Sequence, residues 1–97
     1  MSNIWVLKLI TGEEIVTRGA FHKETDNWIC ERPYIFQVVP DYQGGNHRAA
    51  LGPYFMTDRN ADCDFKDSHV VSFIEAPQEM KTQYIRQTTG IEIAGVV

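Results

Sequence analysis

The stretch from Leu7 to Val39 constrains the fold more than any other part of this chain. Leu7-Lys8-Leu9 alternates, Thr11-Gly12-Glu13 reads as a turn, and Ile15 to Phe21 runs back. Thr25-Asp26-Asn27 reads as a second turn, and Trp28 to Val39 follows as a long third strand. Glycine and proline sit inside these runs, not only between them. Gly19 interrupts the second strand, and Arg32-Pro33 falls in the middle of the third. Proline cannot donate to a ladder, so Arg32-Pro33 predicts a bulge or an exposed edge. A twisted meander with such bends is how a small barrel is built.

Alternation gives the first strand as Ile4–Ile10, with Trp5, Leu7 and Leu9 on one face and Lys8 on the other. The second strand is expected from about Ile15 to His22, and Lys23 to Asn27 is the turn after it. Past the proline, Tyr34, Phe36 and Val38 share a face of the third strand. Pro40 to Ala50 carries Gly44-Gly45-Asn46 and reads as a loop. Leu51 to Thr57 is a fourth strand, weakened by Gly52-Pro53, and Asp58 to Ser68 a long polar connection. The fifth strand, His69 to Ile74, is apolar on both faces, which implies burial on both sides, within the chain or by a neighbouring chain.

Pro77 opens a helix, with Glu79 in its first turn and Arg86 near its end, as the helix dipole favours. Met80 and Tyr84 share one face, and Gly90 stops the helix. Ile91 to Val97 adds a short strand or frays. The expected fold is mainly β: a small, strongly bent, five-stranded antiparallel barrel with a C-terminal helix. The fifth strand carries only His69 and Ser72 as polar devices against edge pairing. Repeated use of one sheet edge against another generates a ring.

Ninety-seven residues make a single domain, 1–97. No apolar run approaches the roughly 18 residues of a membrane span. Met1-Ser2-Asn3 opens no secretory signal, so a cytoplasmic protein is expected. Net charge is −4, and the nine Lys and Arg are scattered. That argues against strong non-specific nucleic-acid binding and leaves room for a local pocket. Cys30 and Cys63 form no metal-ligand spacing with His22, His47 or His69, and are read as free thiols.

Nothing resembles a nucleophile elbow or a phosphate-binding glycine loop, so the chain is read as no enzyme, and no cofactor is expected. Asp58-Arg59-Asn60-Ala61-Asp62 resembles the first half of a calcium loop. Cys63 replaces the required glycine and His69 the bidentate glutamate, which leaves a solvated acidic connection.

Laid on these residues, the chain resembles the Sm-like family. Leu9-Ile10-Thr11-Gly12 is similar to the opening of that family's first motif, Ile15 matches its aliphatic position, and Asn27 its asparagine. Thr17, Lys23 and Asp26 depart from it. Ser68-His69-Val70-Val71-Ser72 is similar to the second motif of the bacterial branch, without its basic residue. Ile74-Glu75-Ala76-Pro77 followed by Met80 to Tyr84 resembles the ending of small Sm-like proteins from tailed phages of marine bacteria. If phage-encoded, the chain would act in the cytoplasm of the host cell.

The resemblance implies a homo-oligomeric ring of about five to seven subunits, closed strand to strand. It also implies a site for single-stranded RNA at the inner rim, formed by the turns before the third and fifth strands. The candidate RNA-binding residues are Asn27, Trp28, Lys23, Ser68 and His69. Each has a plainer reading. Asn27 suits a turn, Trp28 a core, Lys23 solvent, and His69 with Ser68 a strand start. The competing function is a structural or adaptor ring that contacts protein partners without nucleic acid. The acidic balance and the missing basic residue beside His69 favour it.

Overall fold

The computed structural model describes residues 3–41 and 46–90. They form β1 (Asn3–Leu9), β2 (Glu14–His22), β3 (Asn27–Asp41), β4 (Asn46–Pro53), β5 (Cys63–Lys66), β6 (Val70–Glu75) and α1 (Gln78–Thr89). A single 3-10 turn, Asp67–His69, joins β5 to β6. The sheet is antiparallel and runs β4-β3-β2-β1-β6, with β5 beside β3. The mainly β fold with a C-terminal helix is therefore present. Two parts of the expectation need correcting. The described residues hold six strands, not five, and β4 and β6 end the path unpaired with one another, so the sheet is not closed into a barrel.

Alternation along β1 sorts the core into two clusters. Leu7 and Leu9 join Ile15, Trp28 and Cys30 on one face, where Trp5 also packs. Ile4 joins Val16, Tyr34, Leu51, Ala76 and Tyr84 on the other, which α1 covers. The turn between β1 and β2 depends on Gly12, at φ 103, whose N–H donates to the Leu9 carbonyl at 2.9 Å.

The break foreseen at Arg32-Pro33 is a β-bulge. Arg18 pairs with Glu31 and Val16 with Tyr34, leaving Arg32 and Pro33 opposite Thr17 alone. Arg32 takes φ 46 there. One extra residue inverts the side-chain alternation. Before the bulge, Trp28 and Cys30 face one cluster; after it, Tyr34 and Phe36 face the other. Thr17, fully buried, donates its hydroxyl toward the Arg18 and Glu31 carbonyls at 3.0 and 3.2 Å.

Gly19 serves close approach. A Cβ there would stand 2.3 Å from the Ile29 carbonyl oxygen of β3. The helix follows its sequence signals: Pro77 is the N-cap, and Gly90 at φ 72 donates its N–H to the Arg86 carbonyl at 2.9 Å.

Several boundaries move. β3 starts at Asn27, and the left-handed residue of the turn is Asp26 at φ 54, not Asn27. The expected fourth strand, Leu51–Thr57, is displaced to Asn46–Pro53, and much of the expected loop over 40–50 is strand. Gly44-Gly45 and the segment 91–97 lie outside the described residues. The connection Asp58–Ser68 contains β5, whose four residues pair with 27–30 of β3. Expected double burial of the last strand is not met within one chain: β6 is half-buried only at Val70 and exposed from Val71 onward.

Candidate functional site

Two turns meet at one end of the sheet. Asn27 opens β3 opposite Lys66, the last residue of β5, and the Asp67 N–H donates to the Asp26 carbonyl at 2.9 Å. Together Thr25, Asp26, Asn27, Lys66, Asp67 and Ser68 line a cleft of about 520 Å³. Its local hydrogen bonds orient the Asn27 amide, whose nitrogen donates to the carbonyls of Asp26 at 3.1 Å and Thr25 at 3.3 Å. Its donors are thereby committed to its own turn. The cleft carries the carboxylates of Asp26 and Asp67 against the ammonium of Lys66. Lys23 lies exposed in the same turn and is not among the lining residues.

Of the five sequence candidates, this cleft unites Asn27 and Ser68. Trp28 lies in the core at 3% exposure. Its ring meets Trp5, Phe21 and Phe73 at centroid distances of 5.7, 5.6 and 4.9 Å, with interplanar angles of 56–69°. Such tilted contacts are favourable for aromatic packing, and a ring buried to this degree offers a stacked base no open face. The Trp28 indole N–H has no partner among the described residues. Beside this cluster is an apolar cavity of about 460 Å³, lined by Trp5, Phe21, Trp28 and Phe73 and edged by Asn3 and Asp67.

His69 goes elsewhere. Its carbonyl accepts the Ile10 N–H at 2.8 Å, and the residue borders a separate hollow with Leu9, Thr11, Tyr54 and Phe65. The acidic connection is also structurally engaged. An Asp58 carboxylate oxygen accepts the Asn60 N–H at 3.0 Å, and an Asp62 oxygen accepts the Arg32 N–H at 3.0 Å. Among the described residues no group of three or more His, Cys, Asp or Glu is placed to hold a metal ion. No helix among them is long and apolar enough to cross a membrane.

Sequence reasoning missed Lys66 and Asp67, two of the six residues that line the cleft. The signal was there. Cys63 and Phe65 alternate with Asp64 and Lys66, and the burial pattern of β5 follows that period of two. The second feature is the outer edge of β6. Val71, Phe73 and Ile74 are 59%, 53% and 56% exposed on a strand that pairs with β1 on one side. Neither the family models nor the curated proteins compared with this chain give a match.

Proposed function

We propose that the chain is a self-assembling module of the Sm-like kind, in which the β6 edge of one copy pairs with the β4 edge of the next. The observation that carries this reading is the strand order. It leaves β4 and β6 as the two ends of the sheet path, with large apolar side chains exposed on β6. An unblunted apolar edge is a template for another strand. Two different edges joined head to tail generate a ring when the rotation closes. Ala50 and Gly52 on β4 offer little side-chain bulk, which complements Val71, Phe73 and Ile74. In this reading the Sm-like barrel is completed between copies, in the cytoplasm.

The assembled module acts as an adaptor that contacts protein. The cleft at the two turns holds two carboxylates and one ammonium, which disfavours phosphate, and Trp28 is buried in the core. A second reading, single-stranded RNA, is favoured by one observation: Asn27 and Ser68 line the same cleft.

Size-exclusion chromatography with light scattering tests the assembly, and a ring of about five to seven copies is expected. A monomer at every concentration would overturn it. Fluorescence anisotropy with uridine-rich and adenosine-rich oligonucleotides separates the two readings. The adaptor predicts no saturable binding at low salt, where the electrostatic contribution is strongest.

A further inference from the structure

Cys30 on β3 and Cys63 on β5 are register partners in an antiparallel pair. Directly opposed residues project to the same face, with Cα atoms about 4.5 or 5.5 Å apart according to their place in the ladder. Both spacings fall inside the disulfide range of about 4.4–6.8 Å. The two side chains belong to one apolar cluster, in which Cys30 is fully buried and Cys63 half-buried. Both thiols are free. We propose that Cys30 and Cys63 are an oxidative modification site, at which exchange with a low-molecular-weight disulfide such as glutathione disulfide links β5 to β3 within one chain.

The exchange balances in two displacements. The Cys63 thiolate attacks one sulfur of the small disulfide, forming a mixed disulfide and expelling one small thiolate. The Cys30 thiolate then attacks the Cys63 sulfur and expels the second. One S–S bond forms in the protein, the reagent's S–S bond is reduced, and the protons of the two protein thiols end on the two small thiols. Cys63 reacts first because it alone of the pair is reached from solvent.

The surroundings set the rate. Burial pushes the Cys63 thiol up to about 11, helped by the carboxylates of Asp64 and Asp62. Burial pushes Cys30 up to about 12, with Cys63 and Asp64 adding to the rise and the Thr17 hydroxyl opposing it. Only the thiolate attacks, so the reaction is slow at neutral pH and quickens about tenfold per pH unit until the first thiol titrates. The bond would fasten a four-residue strand that ends at Lys66 and leads into Asp67 and Ser68, one wall of the turn cleft. It requires nothing of the assembly proposed above.

The test incubates the full chain with glutathione disulfide from about pH 7 to about pH 9, then denatures, alkylates and weighs it, with a peptide map of the product. Expected are the loss of both alkylatable thiols, no retained glutathione, one link between the Cys30 and Cys63 peptides, and the tenfold pH slope. Cys30→Ser should stop with one glutathione on Cys63. Should that variant not fold, the parent chain decides alone. A parent product that keeps glutathione on Cys63 with Cys30 free overturns the proposal. So does a link between two chains, or two unreacted thiols under conditions that oxidise the unfolded chain.

Discussion

The Tyr84 hydroxyl of α1 donates to the Glu31 carbonyl oxygen of β3 at 2.5 Å, beside the bulge that inverts the strand. The helix is thus fastened to the one place where the sheet pattern breaks. Arg32 adds a second tie, its guanidinium donating to the Thr88 carbonyl at 3.1 Å. Tyr84 is fully buried, and its ring stands edge-on to Tyr34 at 5.8 Å.

Tyr84→Phe and Tyr84→Ala should therefore separate two contributions. The phenylalanine keeps the ring and loses the hydroxyl, while the Glu31 carbonyl still accepts from Thr17. A loss of about 1 kcal/mol is expected. The alanine also leaves a cavity against Tyr34 and Val16, for about 3–5 kcal/mol. Urea unfolding of both variants checks the difference.

Gly19→Ala should cost about 2 kcal/mol or more, because a methyl group there collides with the backbone of Ile29, which cannot yield like a side-chain tip. The Trp5 indole, which donates to the Gly19 carbonyl at 3.1 Å, reports the displacement. Equilibrium unfolding followed by tryptophan fluorescence measures both effects.

Val71→Asp should dissolve the proposed assembly without unfolding the chain. Val71 is 59% exposed, so the monomer should change by less than about 0.5 kcal/mol, whereas a seam would bury the new charge. Phe73→Asp is the poorer probe, since Phe73 also packs on Trp5 and Trp28. Light scattering beside thermal melting distinguishes the two substitutions.

Stability should fall as pH rises past the ordinary thiol range. Cys30 and Cys63 are raised to about 12 and about 11 in the folded chain. Between the unfolded value near 8.5 and these values, the unfolded chain has lost protons that the folded chain retains. The slope is negative there, at most about 1.4 kcal/mol per pH unit for each thiol. Cys30→Ala should remove part of it, as read from urea midpoints across that window.

Glu13 gives the opposite sign. Its carboxylate accepts from the Thr11 hydroxyl, which holds it below the ordinary carboxylate value. Its contribution is present above that value and fades as pH drops through the lowered one. Thr11→Ala should return Glu13 toward the ordinary value in an NMR pH titration.

Much of this architecture was readable before the structure, for identifiable reasons. Leu7 and Leu9 alternate with Lys8 because only one face of β1 is buried at that end, and Pro77 and Gly90 bracket α1 through backbone chemistry that depends little on context. Pro33 marked the bulge because a missing donor is visible in any sequence. Its consequence was not visible. Whether Trp28 and Tyr34, both even-numbered, face the same cluster depends on an extra residue whose side only pairing reveals. The cleft was only partly legible for a related reason. Asn27 and Ser68 stood out by type, while Lys66 and Asp67 lay in a short, charged stretch whose strand exists because β3 offers it a partner. His69 was grouped with them by closeness in sequence, and the 3-10 turn carries it to another hollow.

β3 keeps β2 along one flank over 27–36, but its other flank is shared: β5 holds 27–30 and β4 holds 34–41. The two neighbours are separated by the bulge, so detachment of the short one need not propagate to the long one. Amide protons along this single strand should then exchange in two groups, and the Asn27 end could breathe while the remainder of the backbone stays shut.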